Sequence, residues 1–296
     1  MKTRLLNRRD MILRTAGCAG AALAPAFWAR AGAAEKTNPG FKIGVVDWEV
    51  AKPGDPEALA VGARLGFDGV QVDLGEVEEM KKLDNQYRYD QLTRKYRIQV
   101  ASLALGKLSD VPYGSDPKGQ ALVDAAIDVA RDMRQKVLLL AFFGANGFDK
   151  EGNKPDALAS RLKEIAPKAE KCGVVLGLEG EATAERYRDL IDRVGSPAVK
   201  VYFDCVHAHV EGKDIYQEIL LLGSRICEFH AKDYGNILFG KGTIDFQAVR
   251  RAMDAIGYHG WIQLEQWGEI GGDKALGFEE THRRNLQYLR KIFPPG

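Results

Sequence analysis

The sequence predicts a (β/α)8 barrel, an α/β fold in which eight parallel strands alternate with helices. Short β-rich runs recur eight times along the chain, and segments with helical periodicity lie between them. The predicted strands are residues 41–48, 67–74, 98–105, 136–143, 173–179, 198–204, 225–230 and 260–265. The predicted helices include residues 56–65, 119–133, 155–171, 184–194, 214–222, 246–256 and 279–292. Eight alternating units favour a closed barrel over an open doubly wound sheet.

The joints between these segments agree with one barrel. Gly66, Gly173, Gly195 and Gly257 stand where a predicted helix must stop before the next strand begins. No glycine-rich fingerprint follows a predicted strand, so a dinucleotide-binding sheet has no specific support. No linker rich in Pro, Ser and Gly divides the body, and we expect a single domain over residues 40–293.

Residues 1–33 are typical of an export signal. Arg8 and Arg9 resemble a twin-arginine motif, an apolar run follows at residues 15–28, and small residues at 31–33 offer a cleavage site. We therefore expect a periplasmic protein. The alternative is an amphipathic or disordered N-terminus. Lipoprotein anchoring through Cys18 is disfavoured, because no large aliphatic residue stands three positions before it.

The composition limits the class of partner. Residues 1–33 hold six basic residues and one acidic residue, so the remaining chain has 36 basic and 40 acidic residues. A mildly acidic body disfavours nucleic acid and favours a small-molecule partner. The apolar run at 15–28 is too short and too rich in Ala and Gly for stable membrane insertion after cleavage. Monomer and homo-oligomer both stay open.

Cysteine usage does not predict a disulfide framework. Cleavage would leave an odd number, Cys172, Cys205 and Cys227, with no zinc-finger spacing. Cys205 and Cys227 fall in neighbouring predicted strands, which leaves a bridge open, but buried free thiols are favoured.

Four consecutive predicted strands deliver acidic or imidazole side chains where they end. These residues are Glu179, Asp204, His230 and Glu265. The carboxyl ends of barrel strands share one rim, where crowded carboxylates repel one another unless a cation neutralises them. Three carboxylates and one imidazole suit one divalent ion such as Mn, Co, Mg or Zn. The alternative is ordinary polar strand ends that bond to loop residues.

The motifs around these residues resemble the xylose isomerase-like superfamily, in particular its branch of tagatose 3-epimerases and inosose isomerases. The matching segments are Leu-Glu179, Phe-Asp204-Cys-Val-His207, Phe-His230-Ala-Lys232-Asp233, Leu-Glu265 and Gly-Lys-Gly242-Thr-Ile-Asp-Phe246. The resemblance runs from about residue 41 to the C-terminus, and its second half is the specific part.

The resemblance implies a metal held by Glu179, Asp204, His230 and Glu265. In the epimerases that it points to, the two glutamates also exchange a substrate proton across an enediolate, which the metal stabilises. His207 matches a histidine that contacts substrate. Two departures concern specificity. Residues 180–185, directly after Glu179, lack the arginine that some epimerases have there, and strand two has Gln71 where relatives often have glutamate.

Further candidates for substrate contact lie around the same rim. They are Lys232, Asp233, Trp48, Trp267 and Glu185. A loop salt bridge is the alternative for Lys232 and Asp233, and plain packing is the alternative for both tryptophans. Strand alternation also predicts a polar layer below the metal, with Gln263 and Glu228 pointing inward and a Lys200–Glu228 pair.

The sequence thus favours a metal-dependent epimerase or isomerase of a non-phosphorylated ketose, keto-inositol or related polyol. A lyase or dehydratase acting on a 3-keto-glycoside would use the same metal and base. A non-catalytic sugar-binding barrel is the alternative from another class. Apurinic endonucleases of the same superfamily are disfavoured, because their three zinc ions need more histidines than this body offers.

Overall fold

The computed structural model describes residues 40–210, 212–234, 237–266 and 276–296. The predicted export signal over residues 1–33 and the predicted contact Trp267 lie outside these ranges.

Eight parallel strands close into a barrel in sequence order, and β1 pairs with β8. The strands are β1 (Lys42–Val46), β2 (Gly69–Asp73), β3 (Gln99–Leu105), β4 (Val137–Phe142), β5 (Val175–Gly180), β6 (Val199–Asp204), β7 (Ile226–Ala231) and β8 (Trp261–Leu264). Each of them falls on a predicted strand to within two residues at either end. The predicted fold class is confirmed.

Helices connect the strands on the outside of the barrel. They are α1 (Asp47–Val50), α2 (Ala58–Leu65), α3 (Val77–Met80), α4 (Leu83–Tyr96), α5 (Pro117–Asp132), α6 (Pro155–Cys172), α7 (Ala184–Val194), α8 (Cys205–Val210), α9 (Ile215–Leu222), α10 (Phe246–Ile256) and α11 (Gly277–Ile292). The bounds of α7 and α10 match the predicted ones. Gly173 ends α6 with φ of 69°, the left-handed conformation expected of a helix-stopping glycine.

Helix α4 is absent from the predicted set. It carries few aliphatic residues, so its sequence lacks the apolar stripe that marks the other helices. Among its described side chains Tyr89 is fully buried, and the partly buried Leu92 and Tyr96 pack against the core. No described helix is long and apolar enough to span a bilayer.

The barrel interior below the rim is polar. Gln71, Ser102, Tyr202, Glu228 and Gln263 are all buried there and bond to one another. This confirms the predicted inward position of Glu228 and Gln263.

The predicted Lys200–Glu228 pair is wrong. Tyr202, two residues after Lys200 on the same strand, donates its hydroxyl to Glu228 instead. Lys200 lies nearer the start of β6 and donates to the carbonyl of Ser224 at an exposed position.

Cys172, Cys205 and Cys227 are free thiols, of which Cys205 is buried and the others are partly exposed.

Candidate active site and metal centre

Glu179, Asp204, His230 and Glu265 meet at the carboxyl ends of β5 to β8. Asp204 is the last residue of β6 and stands in register with His230 of β7, while Glu265 directly follows β8. One ligand atom from each of the four lies within 4.8 Å of the other three. The structure therefore brings the four predicted ligands together.

His230 Nδ1 lies at the centre of this group. It is 2.6 Å from Glu179 Oε1, 3.0 Å from Glu265 Oε2 and 3.8 Å from Asp204 Oδ2. On the other side of the ring, Nε2 lies 2.7 Å from Gln71 Oε1. The imidazole thus faces the carboxylates with one nitrogen and the polar layer with the other.

The carboxylates govern the protonation of their neighbours. Burial alone would lower the pKa of His230, but the charges of Glu179 and Glu265 outweigh it and raise that pKa to about 10. Burial would also lower the pKa of Lys232, but the charges of Asp204 and Glu265 outweigh burial and raise that pKa. Against the effect of burial, Lys232 and His230 hold the pKa of Glu265 below its usual range. Two side-chain cations thus face three carboxylates.

Asp204 shows most directly that the group fits a cation. Its Oδ1 accepts the backbone N–H groups of Val206 and His207, at 2.6 and 3.1 Å. Its Oδ2 is buried and accepts no hydrogen bond from the described residues, although the Lys232 ammonium lies 3.6 Å away. A buried oxygen left in this way favours a charged partner. With three carboxylates and an imidazole, the donor set suits Mn, Co, Mg or Zn.

A cavity of about 840 Å³ opens above the four ligands. Part of its wall is apolar, and this part comprises Ala104, Leu139, Ala141 and Phe143. Charged side chains also line it, namely Asp73, Glu76, Lys107, Asp110, Glu179, Glu181, Lys232 and Glu265. The carboxyl end of the barrel therefore offers both a concave pocket and the ligand group in one place.

Three of the predicted substrate contacts line this cavity. Trp48 donates its indole N–H to Glu265 Oε1 at 3.2 Å. Lys232 Nζ lies 3.0 Å from Glu265 Oε2. His207 packs its ring on Phe143 with 4.8 Å between centroids. These side chains can touch a ligand that reaches the four-residue group.

Two other predicted contacts do not reach the cavity. Asp233 is buried and accepts hydrogen bonds from the backbone of Tyr234, Thr243 and Ile244, so it organises the loop after β7. Glu185 is exposed in the first turn of α7, outside the residues that line the cavity. Substrate contact by Asp233 and Glu185 stays a prediction.

Sequence reasoning missed two strand-ending carboxylates. Asp73 lines the cavity and accepts the N–H groups of Gly75 and Gly106, at 2.6 and 2.8 Å. Asp47, after β1, accepts the N–H groups of Gly54 and Asp73. Burial raises the pKa of both. Their signal was the one used for the later strands, an acidic residue where a strand ends.

The closed parallel barrel and its rim of carboxylates define a (β/α)8 protein with a candidate cation site at the carboxyl ends of its strands. The chain belongs to the xylose isomerase-like TIM barrel family, whose family model matches residues 59–292. The resemblance inferred from the sequence is confirmed.

Named relatives include sugar 3-epimerases. The chain is 31% identical over 137 residues to a D-psicose 3-epimerase of Enterocloster bolteae, which covers 42% of this chain and 45% of that protein. It is 24% identical over 241 residues to the L-ribulose-5-phosphate 3-epimerase UlaE of Escherichia coli K12, covering 74% and 84%. A crystal structure of D-allulose 3-epimerase from Methylomonas sp. shares the fold, with a TM-score of 0.71, 20% identity and coverage of 86% and 99%.

Replacing one ligand should weaken the binding of a divalent ion. We expect Asp204→Asn to raise the Mn²⁺ dissociation constant more than about 100-fold, beyond what the loss of an outer contact causes. Isothermal titration calorimetry measures this constant. Glu181→Gln, which alters an exposed carboxylate of the same cavity, is the matched control and should leave the constant unchanged. Equal constants in wild type and Asp204→Asn would exclude Asp204 as a ligand.

Proposed function

We propose that this chain is a metal-dependent epimerase or isomerase of a non-phosphorylated ketose, keto-inositol or related polyol. The observation that carries the proposal is the position of Glu179 and Glu265, which belong to the four-residue group and also line the cavity. Family membership and the relatives named as sugar 3-epimerases support it.

The reaction moves a proton at a carbon beside a ketone, and the two glutamates are placed to do this. When bound, a divalent ion supplies positive charge that stabilises the negative charge developing on the ketone oxygen. Glu179 and Glu265 approach the cavity from strands three positions apart. In epimerisation one carboxylate removes the proton and the other returns a proton to the opposite face.

Neighbouring side chains hold Glu265 in its charged form and in one orientation. The indole of Trp48 binds its Oε1, while the ammonium of Lys232 and the imidazole of His230 lie near its Oε2. A carboxylate fixed at both oxygens keeps a constant geometry towards the substrate. Phe143 and Leu139 offer an apolar wall for the C–H face of a sugar ring.

The charge of the cavity favours a substrate without phosphate. Lys107 lies 3.3 Å from Asp110 and 3.8 Å from Glu76, and Lys232 contacts Asp204 and Glu265. Both lysines among the described lining residues are therefore paired with carboxylates. A phosphate dianion needs cationic partners of its own, so it would meet repulsion here.

The two-base reaction predicts a specific isotope pattern. Glu179→Gln and Glu265→Gln should each lower kcat by roughly 100- to 10,000-fold, because an amide cannot accept the proton. The assay incubates free ketohexoses and 3-keto-glycosides in D₂O and follows epimer formation and deuterium at the carbon beside the ketone by NMR.

The outcomes separate this proposal from its alternatives. Deuterated epimer with an intact glycosidic bond supports epimerisation. Release of the aglycone without epimer would identify a lyase, which uses the same base. Binding of sugars without any deuterium uptake would show a non-catalytic sugar-binding barrel.

Phosphorylated substrates provide a second test. We expect kcat/KM for a free ketose to exceed that of its phosphate ester at least about tenfold, which corresponds to roughly 1.4 kcal/mol. Asp110→Asn should narrow this gap, since it removes one of the carboxylates that pair with Lys107. A preference for the phosphate ester in the wild type would contradict the proposed substrate class.

The N-terminal sequence supports a further proposal, export by the twin-arginine route to the periplasm. We expect Arg8→Lys combined with Arg9→Lys to leave the full-length chain in the cytoplasm, as followed by immunoblots of cell fractions. Arg4→Lys is the control outside the motif. Unchanged export of the double variant would contradict this route.

A further inference from the structure

A hydrogen-bonded relay runs from Glu228 to His230 through the polar layer. We define the relay as Glu228, Ser102, Tyr202 and Gln71, all of which are at most 2% exposed. Ser102 Oγ and Tyr202 OH donate to Glu228 Oε1, at 2.7 and 2.9 Å. Gln71 Nε2 donates to the same two hydroxyl oxygens, at 3.1 and 3.0 Å. Gln71 Oε1 then faces His230 Nε2 at 2.7 Å.

The direction of this relay follows from the number of hydrogens available. Each hydroxyl has one hydrogen, and both hydroxyls give theirs to Glu228. Their lone pairs then accept the two N–H groups of the Gln71 amide. The amide oxygen of Gln71 must therefore point to His230.

This orientation decides which nitrogen of His230 carries hydrogen when a metal is bound. An amide oxygen accepts only, so Nε2 must be the donor. Nδ1, which faces Glu179 and Glu265, then presents its lone pair to the ion. If the Gln71 amide were turned over, its NH₂ group would face Nε2–H of His230, and two donors would then stand against each other. The tautomer of His230 that binds a metal through Nδ1 would be disfavoured.

We propose that Glu228 is a positioning residue of the metal centre, which sets the direction of the relay and thereby the tautomer of His230. The inference rests on the proposed metal-dependent function. Glu228 acts as an acceptor, so the relay needs its oxygen rather than its charge. Gln263 also donates to Glu228 Oε1, at 2.8 Å, but it is not part of the route to His230.

The decisive variant is Glu228→Met, which keeps the side-chain length and removes the acceptor. Without that acceptor, the hydroxyls of Ser102 and Tyr202 are free to donate to the amide oxygen of Gln71, which requires the amide to turn over. We expect the Mn²⁺ dissociation constant, from isothermal titration calorimetry, to rise about 10- to 100-fold. Glu228→Gln retains an acceptor oxygen and should restore near wild-type affinity. Gln263→Met, which removes a donor to the same oxygen, is the matched control and should bind normally.

A spectroscopic readout separates the relay from general damage to the core. In Zn²⁺-loaded protein labelled with ¹⁵N-histidine, the Nε2–H proton of His230 should be protected and downfield. The signal should persist in Glu228→Gln and Gln263→Met and be lost in Glu228→Met. If Glu228→Met does not fold, the pair Ser102→Ala with Tyr202→Phe removes both relay hydroxyls and should lose the same signal.

The inference is overturned, and the proposed function is not, if Glu228→Met keeps wild-type affinity and an unchanged signal. Where Glu228→Met does not fold, the same result in the variant that lacks both hydroxyls overturns it. Equal weakening in Glu228→Met and Gln263→Met would also overturn it, because it would indicate loss of core packing. Wild-type protein that takes up neither Mn²⁺ nor Zn²⁺ would overturn both the relay and the proposed metal dependence.

Discussion

The structure of the barrel rim depends on how the charge of three carboxylates around one imidazole nitrogen is compensated, and two of these carboxylates are buried. Carboxylates brought out of water and close together repel one another, and this cost must be offset by positive charge. His230 and Lys232 offset part of it, through contacts of about 3 Å to Glu265. Asp204 Oδ2 accepts no hydrogen bond from the described residues, and Lys232 Nζ lies 3.6 Å from it, so a bound cation would complete the balance there.

Barrel geometry explains why these groups meet. Side chains two residues apart on a strand point the same way, so each inward position at the rim has another below it. Glu228 lies below His230 on β7, Tyr202 below Asp204 on β6, and Gln263 below Glu265. The lower layer is held by hydrogen bonds, and the upper layer carries the four candidate ligands. Within that lower layer, the hydrogen-bonded route from Glu228 to Gln71 reaches His230.

What the sequence could predict depended on how local each feature is. Strand runs, helix-stopping glycines and acidic strand ends are local, so the barrel and the four-residue group were predictable. Helix α4 has few aliphatic residues, which hid it. The bond between Asp233 and Thr243 was not predictable, because the loop after β7 returns Thr243 to Asp233 along a path that no local pattern reveals. The Lys200–Glu228 pair failed because strand alternation fixes the side of a residue and not its partner.

The same electrostatics that favour a cation also disfavour an anionic ligand in the cavity. Carboxylates outnumber lysines along the described cavity wall, and contacts to Glu76, Asp110 and Glu265 already occupy both of these lysines. An anionic substrate would have to overcome that field, whereas a neutral polyol would not. The strand ends supply the four candidate ligands, and the loops that follow the strands set much of the charge of the cavity. A barrel with these four ligands could therefore change its substrate class through loop residues alone, without altering the ligand group.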